Sequence, residues 1–404
     1  MTLDKSYELL KYLNRSHNIF SRYGLGGVAF LGALVLSKSW TLALLMRKDF
    51  VADNFFYAFR RAAWFFRKSL YTPKSIDDPF FDFSHGANDK ERAALQEFIK
   101  NRKKGDWLSD LLYVQAASIH EGLFTGVTPS VTNHCINDFY NCADSVLQKI
   151  SPSFNNDMVA SKEMTREGDF SKEDARIAFV DFANLLPLSD WKWFVVSGTF
   201  LGLHRDDGFI AHDYDIDVGL MCSDVELKSL LGVLNADQCF SIKKVDDHIN
   251  ITRELSGFDF KVERFTSLIK LVHKNGLSID IFIHYIDNDK CWHGSIIHKW
   301  ENTKFDLVER TLEGVTVLAP KNASLYLAEN YGDWETPIKD FDCTTGTPNL
   351  VVSKNFLAIA LFIKKLAYFS REDEKSYLSL LRALSNGGVL NNANDEWLVN
   401  RSFI

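Results

Sequence analysis

The stretch GTFLGLHRDDGFIAHDYDIDVGL, Gly198 to Leu220, places aspartates at positions 213, 215 and 217. Alternate residues of a strand point to one face, so Asp213, Asp215 and Asp217 would share a side of it. Like charges that close repel and destabilise the fold unless a cation offsets them. Mg²⁺ or Mn²⁺ suits such a site, since Mg²⁺ takes one or two carboxylates and leaves the rest of its octahedron to water and phosphate oxygens. A D-x-D at a strand end, Asp215 and Asp217, can therefore hold a metal-bound diphosphate; by itself it is equally readable as a solvated acidic turn.

Neighbouring residues favour the first reading. Ser197-Gly198 falls between a strand and a short helix, where backbone N–H groups can meet phosphate. Arg205 follows and can grip phosphate through two N–H donors. Downstream, Asp280 lies in LSIDIFIHY. A lone carboxylate in so apolar a strand is costly to bury without a partner or a metal. It is the third carboxylate and the candidate general base. His212, His273 and His284 are alternative bases, each also readable as an ordinary structural histidine.

The elements that must position these residues alternate. SKEDARIAFVDFANLL is a helix opened by Ser171 and Asp174 in a near capping box. WKWFVV (191–196) is a short strand, TFLGL a short helix, and DIDVGL (215–220) the next strand. Residues 223–234 form a helix with Ser223 as its cap. Strand-like runs follow: FSIKKV, FKVERF, LIKLV, LSIDIFIHYI and EGVTVLAP (313–320). The helix NASLYLAENYG closes at Gly332. This order predicts an α+β fold with one mixed sheet in residues 166–350. Residues 76–165 read as a helical region ending in the linker Ser151–Asp157. Residues 351–404 read as two C-terminal helices.

The 404 residues are 46% hydrophobic and 25% charged, an ordinary globular balance. The net charge of −7 is uneven: residues 1–75 hold 12 Lys/Arg against 4 Asp/Glu. A basic, aromatic, helical arm on an acidic body points to a membrane surface and away from nucleic acid, which the body would repel. Gly24 to Met46 is apolar but interrupted by Lys38. It fits a buried helix pair, an in-plane hairpin or a true span. Phe55 to Lys68, FFYAFRRAAWFFRK, fits an interfacial or a packed helix. The N-terminus has acids and no early apolar core, so it does not read as a signal peptide. The six cysteines match no zinc spacing and suit a reducing compartment. His134, Cys135 and Cys142 read as helix residues. Sequons at Asn14, Asn250, Asn322 and Asn400 would suit a luminal enzyme. The expected setting is instead the bacterial cytoplasm, at the periphery of the inner membrane.

FVVSGTFLGLHRDDGFIAHDYDIDVGL, SIDIFIHY and LVERTLEGVTVLAPKNASLYLAENYGDW, in this order, resemble the LicD/fukutin family of the nucleotidyltransferase-fold superfamily. The resemblance covers about 170–345. It implies a small mixed sheet flanked by helices. It also implies metal-dependent transfer of a phosphorylated alcohol, phosphocholine or a polyol phosphate, from a CDP-activated donor to a glycan or glycolipid hydroxyl, as in capsule or lipopolysaccharide synthesis. By motif position Asp215, Asp217 and Asp280 would hold the metal, and Ser197 and Gly198 would contact donor phosphates. His212 stands where the family has Trp or Tyr, and Tyr214 interrupts the acid run. Two rivals remain: a nucleotidyltransferase moving a nucleoside monophosphate, and a non-catalytic scaffold of a polysaccharide assembly complex.

Overall fold

The structure is a computed structural model of the chain. It describes residues 19–51, 87–102, 107–125, 131–154, 171–210, 213, 215–254, 260–338, 341–371, 373–393 and 396–404. His212, Tyr214, Asn14 and Phe55–Lys68 lie outside the described residues. The chain divides into two units. One is Met1–Pro152 with Ile359–Ser370 and Leu390–Ser402; the other is Ser153–Ala358 with Arg371–Val389 and Phe403–Ile404.

In the first unit, the apolar run breaks at Lys38, which adopts φ 55°. The break yields α1 (Ile19–Ser37) and α2 (Trp40–Val51), which pack together as a hairpin. Ser39 turns its hydroxyl to the Leu42 N–H at 3.4 Å and starts the second helix. No described helix is long and apolar enough to cross a membrane. The spanning reading of Gly24–Met46 is thereby overturned, because the left-handed Lys38 divides the segment. Among the described residues three further helices follow in this unit before residue 152: α3 (Asp89–Arg102), α4 (Trp107–Thr125) and α5 (Asn133–Leu147). Asn88 and Glu91 cap the first reciprocally, each side chain accepting the other's backbone N–H at 3.0 and 2.8 Å.

The second unit begins with α6 (Lys172–Leu185), where the Ser171 hydroxyl accepts the Asp174 N–H at 3.2 Å. Phe179 and Phe182 of this helix pack edge-on against Trp193, whose indole N–H bonds Leu186 O at 2.7 Å. Each fully buried aromatic of this kind is worth roughly 1.5–3 kcal/mol. Next come β1 (Phe194–Val195), α7 (Ser197–Arg205), β2 (Asp215–Met221) and α8 (Leu227–Ala236). The α8 cap is Glu226, not Ser223: residues 222–224 form a 3-10 turn, and Val225 and Glu226 stay extended. Then follow β3 (Phe240–Arg253), β4 (Phe260–His273), β5 (Ser278–Asp287), β6 (Lys290–Gly294), β7 (His298–Thr303), β8 (Leu307–Leu312), β9 (Val315–Pro320), α9 (Ala323–Tyr331) and β10 (Leu350–Val352). FKVERF and LIKLV are thus one strand.

Among the described residues these ten strands form one sheet in the order β10-β7-β6-β5-β2-β1-β9-β8, with β4 also on β5 and β3 outside it. β2 pairs with β5, and β1 with β9, in parallel; the other pairs are antiparallel. The fold is α+β, a mixed sheet flanked by helices. Gly332 ends α9 with φ 71°.

In the tail, α10 (Phe356–Phe369) begins in the second unit and continues in the first, where Lys364 Nζ meets Asp110 Oδ1 at 2.6 Å. It is followed by α11 (Glu374–Asn386) and by a hairpin of β11 (Leu390–Ala393) and β12 (Glu396–Val399). The two helices occur as expected. The sequence reading had no hairpin there: LNNA and EWLV are four-residue strands with little alternation.

Candidate active site

The parallel pair β2–β5 sets the acids. Its register places Asp217 opposite Asp280 and Asp215 opposite Ser278. Asp215 and Asp217 share a face, while Ile216 and Val218 between and beyond them are fully buried on the other. Carboxylate oxygens of Asp215, Asp217 and Asp280 all lie within 4.8 Å of one another. Asp213 precedes the strand instead of belonging to it, because β2 starts at Asp215.

The turn after β1 carries α7 onto these acids. Val196 is extended and Ser197 left-handed, at φ 48°. A non-glycine residue there is strained, and such strain concentrates at functional sites. The Val196 N–H donates to Asp217 O at 3.2 Å, and the Asp217 N–H to Thr199 Oγ1 at 2.8 Å. The Gly198 N–H points at the Asp217 carboxylate, 3.3 Å from Oδ2. The N-terminal end of α7 thus faces the negative cluster. A Cβ on Gly198 would fall 2.5 Å from Asp213 Oδ2, so a side chain there would displace that carboxylate. Gly202, one turn on, is closed in by the Gly208 carbonyl, also 2.5 Å from an added Cβ.

Burial, then the charges of Asp280 and Asp213, push the Asp215 carboxyl up from 3.8 to about 7. Burial and the Asp215 charge raise Asp217 well above its ordinary value. Carboxylates held this unfavourably, with oxygens converging from two strands, fit a divalent cation such as Mg²⁺ or Mn²⁺.

Lys270 was not singled out from sequence. It sits on β4 in register with Asp280. Its Nζ lies 2.8 and 2.9 Å from the two Asp280 oxygens and 3.6 Å from Asp215 Oδ2. The available signal was a lysine inside the apolar run SLIKLV. Tyr331, in the closing motif, also belongs here: burial, then the Asp217 charge, holds its phenol well above the usual range.

Arg205 ends α7. Its Nε and Nη2 donate to the two oxygens of Asp206, both at 2.9 Å. Eight residues of helix separate it from Ser197, about 12 Å along the axis. The two alternative bases among the described residues, His284 and His273, are otherwise engaged. His284 donates from Nδ1 to Phe282 O at 3.0 Å, and burial lowers it to about 4, so the ring stays neutral. His273 accepts the Asn275 N–H on Nδ1, leaving Nε2–H to donate to Asp181 at 3.0 Å. Asp181, Cys239 and His273 form a second group of ligand type. There the Lys274 ammonium already supplies the positive charge, 3.2 Å from Cys239 Sγ and 3.8 Å from Asp181.

The comparisons meet this geometry. Residues 190–322 match the family model described as LicD/FKTN/FKRP, nucleotidyltransferase domain. Mouse ribitol-5-phosphate transferase FKTN is 27% identical over 163 residues, 38% of this chain and 32% of the mouse protein. The human protein of the same name is 24% identical over 163 residues, with the same coverage of 38% and 32%. The aligned region thus spans about a third of the length of these curated relatives. The matched stretch runs from just before β1 to the cap of α9 and includes Ser197, Gly198, Arg205, Asp215, Asp217, Lys270 and Asp280. Over residues 190–322 the chain is therefore similar to the LicD/FKTN/FKRP nucleotidyltransferase domain, as its motifs suggested.

Proposed function

We propose that this chain transfers a phosphorylated alcohol, of the polyol-phosphate class or phosphocholine, from a CDP-linked donor to a sugar hydroxyl. The observation that carries the reading is the convergence of Asp215, Asp217 and Asp280 beneath the N-terminus of α7. The printed name of the fukutin relatives, ribitol-5-phosphate transferase, supports the substrate class.

A divalent cation held by the carboxylates would neutralise the diphosphate and the leaving nucleotide. The protein's own part is to place the reactants. The Ser197–Gly198 turn offers the Ser197 hydroxyl and N–H to donor phosphate, the Gly198 N–H being directed at Asp217. Asp280, ion-paired to Lys270, is the group that would accept the acceptor hydroxyl's proton. Arg205 can turn to phosphate by exchanging Asp206 for it.

Incubation with CDP-ribitol, CDP-glycerol or CDP-choline, Mg²⁺ and a glycan acceptor tests the reading. CMP release that depends on acceptor is expected. Pyrophosphate release from a nucleoside triphosphate would favour the nucleotidyltransferase instead, and absence of both products would favour the scaffold.

The same proposal includes a membrane surface as the site of work. It is supported by the apolar outer faces of α1 and α2, where Val28, Leu31, Val35, Trp40 and Leu44 are exposed. Arg47 and Lys48 follow on α2 as exposed cations, Lys48 lying 3.8 Å from Glu91. The setting we propose is the cytoplasmic face of a bacterial inner membrane, with capsule or lipopolysaccharide as the acceptor.

A further inference from the structure

Lys270 is a charged residue on an apolar strand. Ile269 and Leu271 on either side are fully buried and face the core. Lys270 therefore points to the opposite face, where Asp280 stands beside it in register. Its side chain is only 18% exposed. Its ammonium reaches both oxygens of Asp280 and comes within 3.6 Å of Asp215.

We infer that the Lys270 ammonium stands where a second divalent cation would sit, so that the carboxylate cluster takes one metal ion, shared by Asp215 and Asp217. The inference rests on the metal-dependent reading above and fixes the number of ions in it. Three carboxylates on adjacent strands could in principle hold two dications, about 3.5–4 Å apart, as paired-metal sites do. Beside one ion on Asp215 and Asp217, a second would have to draw on Asp280, whose two oxygens lie 2.8 and 2.9 Å from the Lys270 ammonium. A dication there would lie beside the ammonium in a partly buried site, where like charges repel strongly. The Asp217 side of the cluster differs: its carboxylate meets the Gly198 N–H and has lone pairs left for a metal. A fixed monovalent cation beside Asp280 and one exchangeable dication on Asp215 and Asp217 together offset the charge of the three acids.

The test is a Mn²⁺ titration of the full-length, chelator-stripped protein, with free Mn²⁺ followed by electron paramagnetic resonance. Ions at the cluster are counted as the difference from an Asp215→Asn/Asp217→Asn variant. The wild type is expected to bind one ion there. Lys270→Met, which frees the Asp280 side, is expected to bind two, and Lys270→Arg one. Two ions in the wild type, or one in a folded Lys270→Met protein, would overturn the inference while leaving the metal-dependent reading intact. No ion in the wild type would overturn both. Should Lys270→Met fail to fold, the wild-type and Lys270→Arg counts still decide.

Discussion

Asp217 on β2 and Asp280 on β5 stand directly opposite each other across a parallel strand pair, though 63 residues separate them in the chain. With Asp215 they form a cluster in which burial, then the charges of Asp215, Asp213 and Asp280, disfavour ionised Asp217. Replacing Asp215 or Asp217 by asparagine should remove that repulsion and with it the reason to bind a cation. The metal-free variants are expected to melt at higher temperature than metal-free wild type. The rise in melting temperature on adding Mn²⁺ should be lost, and turnover should fall by two or more orders of magnitude, about the scale seen for essential groups of a site. Differential scanning fluorimetry with and without chelator reads the first two effects. A variant that keeps both the metal-induced rise and normal activity would exclude its acid from the metal site.

The pH dependence follows with a definite sign. The Asp215 carboxyl titrates near 3.8 in an unfolded chain and is raised to about 7 in the fold. Between those values the native state binds more protons than the unfolded one, so stability falls as pH rises. Chelator-treated protein should be most stable near pH 4 as far as this group is concerned, and should lose stability progressively up to about pH 7. Asp217, also raised, adds a decline of the same sign. Saturating Mg²⁺ should flatten the slope, since the metal stabilises the ionised form. Urea titrations across this pH range, with and without Mg²⁺, measure it. Stability that rises through the same interval in chelator would contradict the account.

The two motif glycines should fail differently. At Gly202 an added methyl meets a backbone carbonyl, Gly208 O, which cannot move without shifting the turn that follows α7. Gly202→Ala should therefore cost about 1–3 kcal/mol of stability, as overpacking does. At Gly198 the methyl meets the end of a side chain, the Asp213 carboxylate, which can swing away. Gly198→Ala should be the milder change for stability and the more harmful for metal affinity and activity. Equal losses of stability with unchanged metal binding would contradict this distinction.

How much of this was legible in the sequence depends on the range of the interaction. The D-x-D pair, the Ser-Gly turn and the Ser171 cap are local patterns, and the structure places them as their spacing implies. Asp280 was marked by its own isolation in an apolar strand. Lys270 carried the same mark in SLIKLV, but its meaning depends on β4 lying beside β5, a pairing that no spacing reveals. Ser223 looked like a cap because its type is right; Glu226 took the role because the chain stays extended for two more residues. The short strands β6, β7 and β10 draw their stability from neighbours and not from a pattern of their own.

The outer face of the α1–α2 hairpin yields a prediction about location. Val28 and Val35 are 70% and 75% exposed, and Trp40 65%. If this face meets lipid, full-length protein should sediment with vesicles containing phosphatidylglycerol, and salt should weaken the attachment in part. Val28→Asp/Val35→Asp should reduce binding at least tenfold while leaving the circular dichroism spectrum unchanged. Undiminished sedimentation of that variant would remove the hairpin from the membrane contact.

The Lys270–Asp280 pair offers a stability test that needs no substrate. Both side chains are largely enclosed, at 18% and 11% exposure. Removing one partner of such a pair leaves the other's charge without its counter-ion, at a cost of about 3–5 kcal/mol, whereas removing both together is far less damaging. In chelator, Lys270→Met should be the worse of the two single changes, because it abandons Asp280 and also takes positive charge from Asp215. Asp280→Asn leaves Lys270 with Asp215 as a remaining partner and should cost less. The double variant should recover most of the loss, so the coupling energy in a double-mutant cycle should match the larger single loss or exceed it, at about 3–5 kcal/mol. Urea unfolding of the four proteins at one pH supplies the cycle. Additive losses would mean that the contact contributes no coupling, and Lys270 would then be no more than an accidental neighbour of the acids.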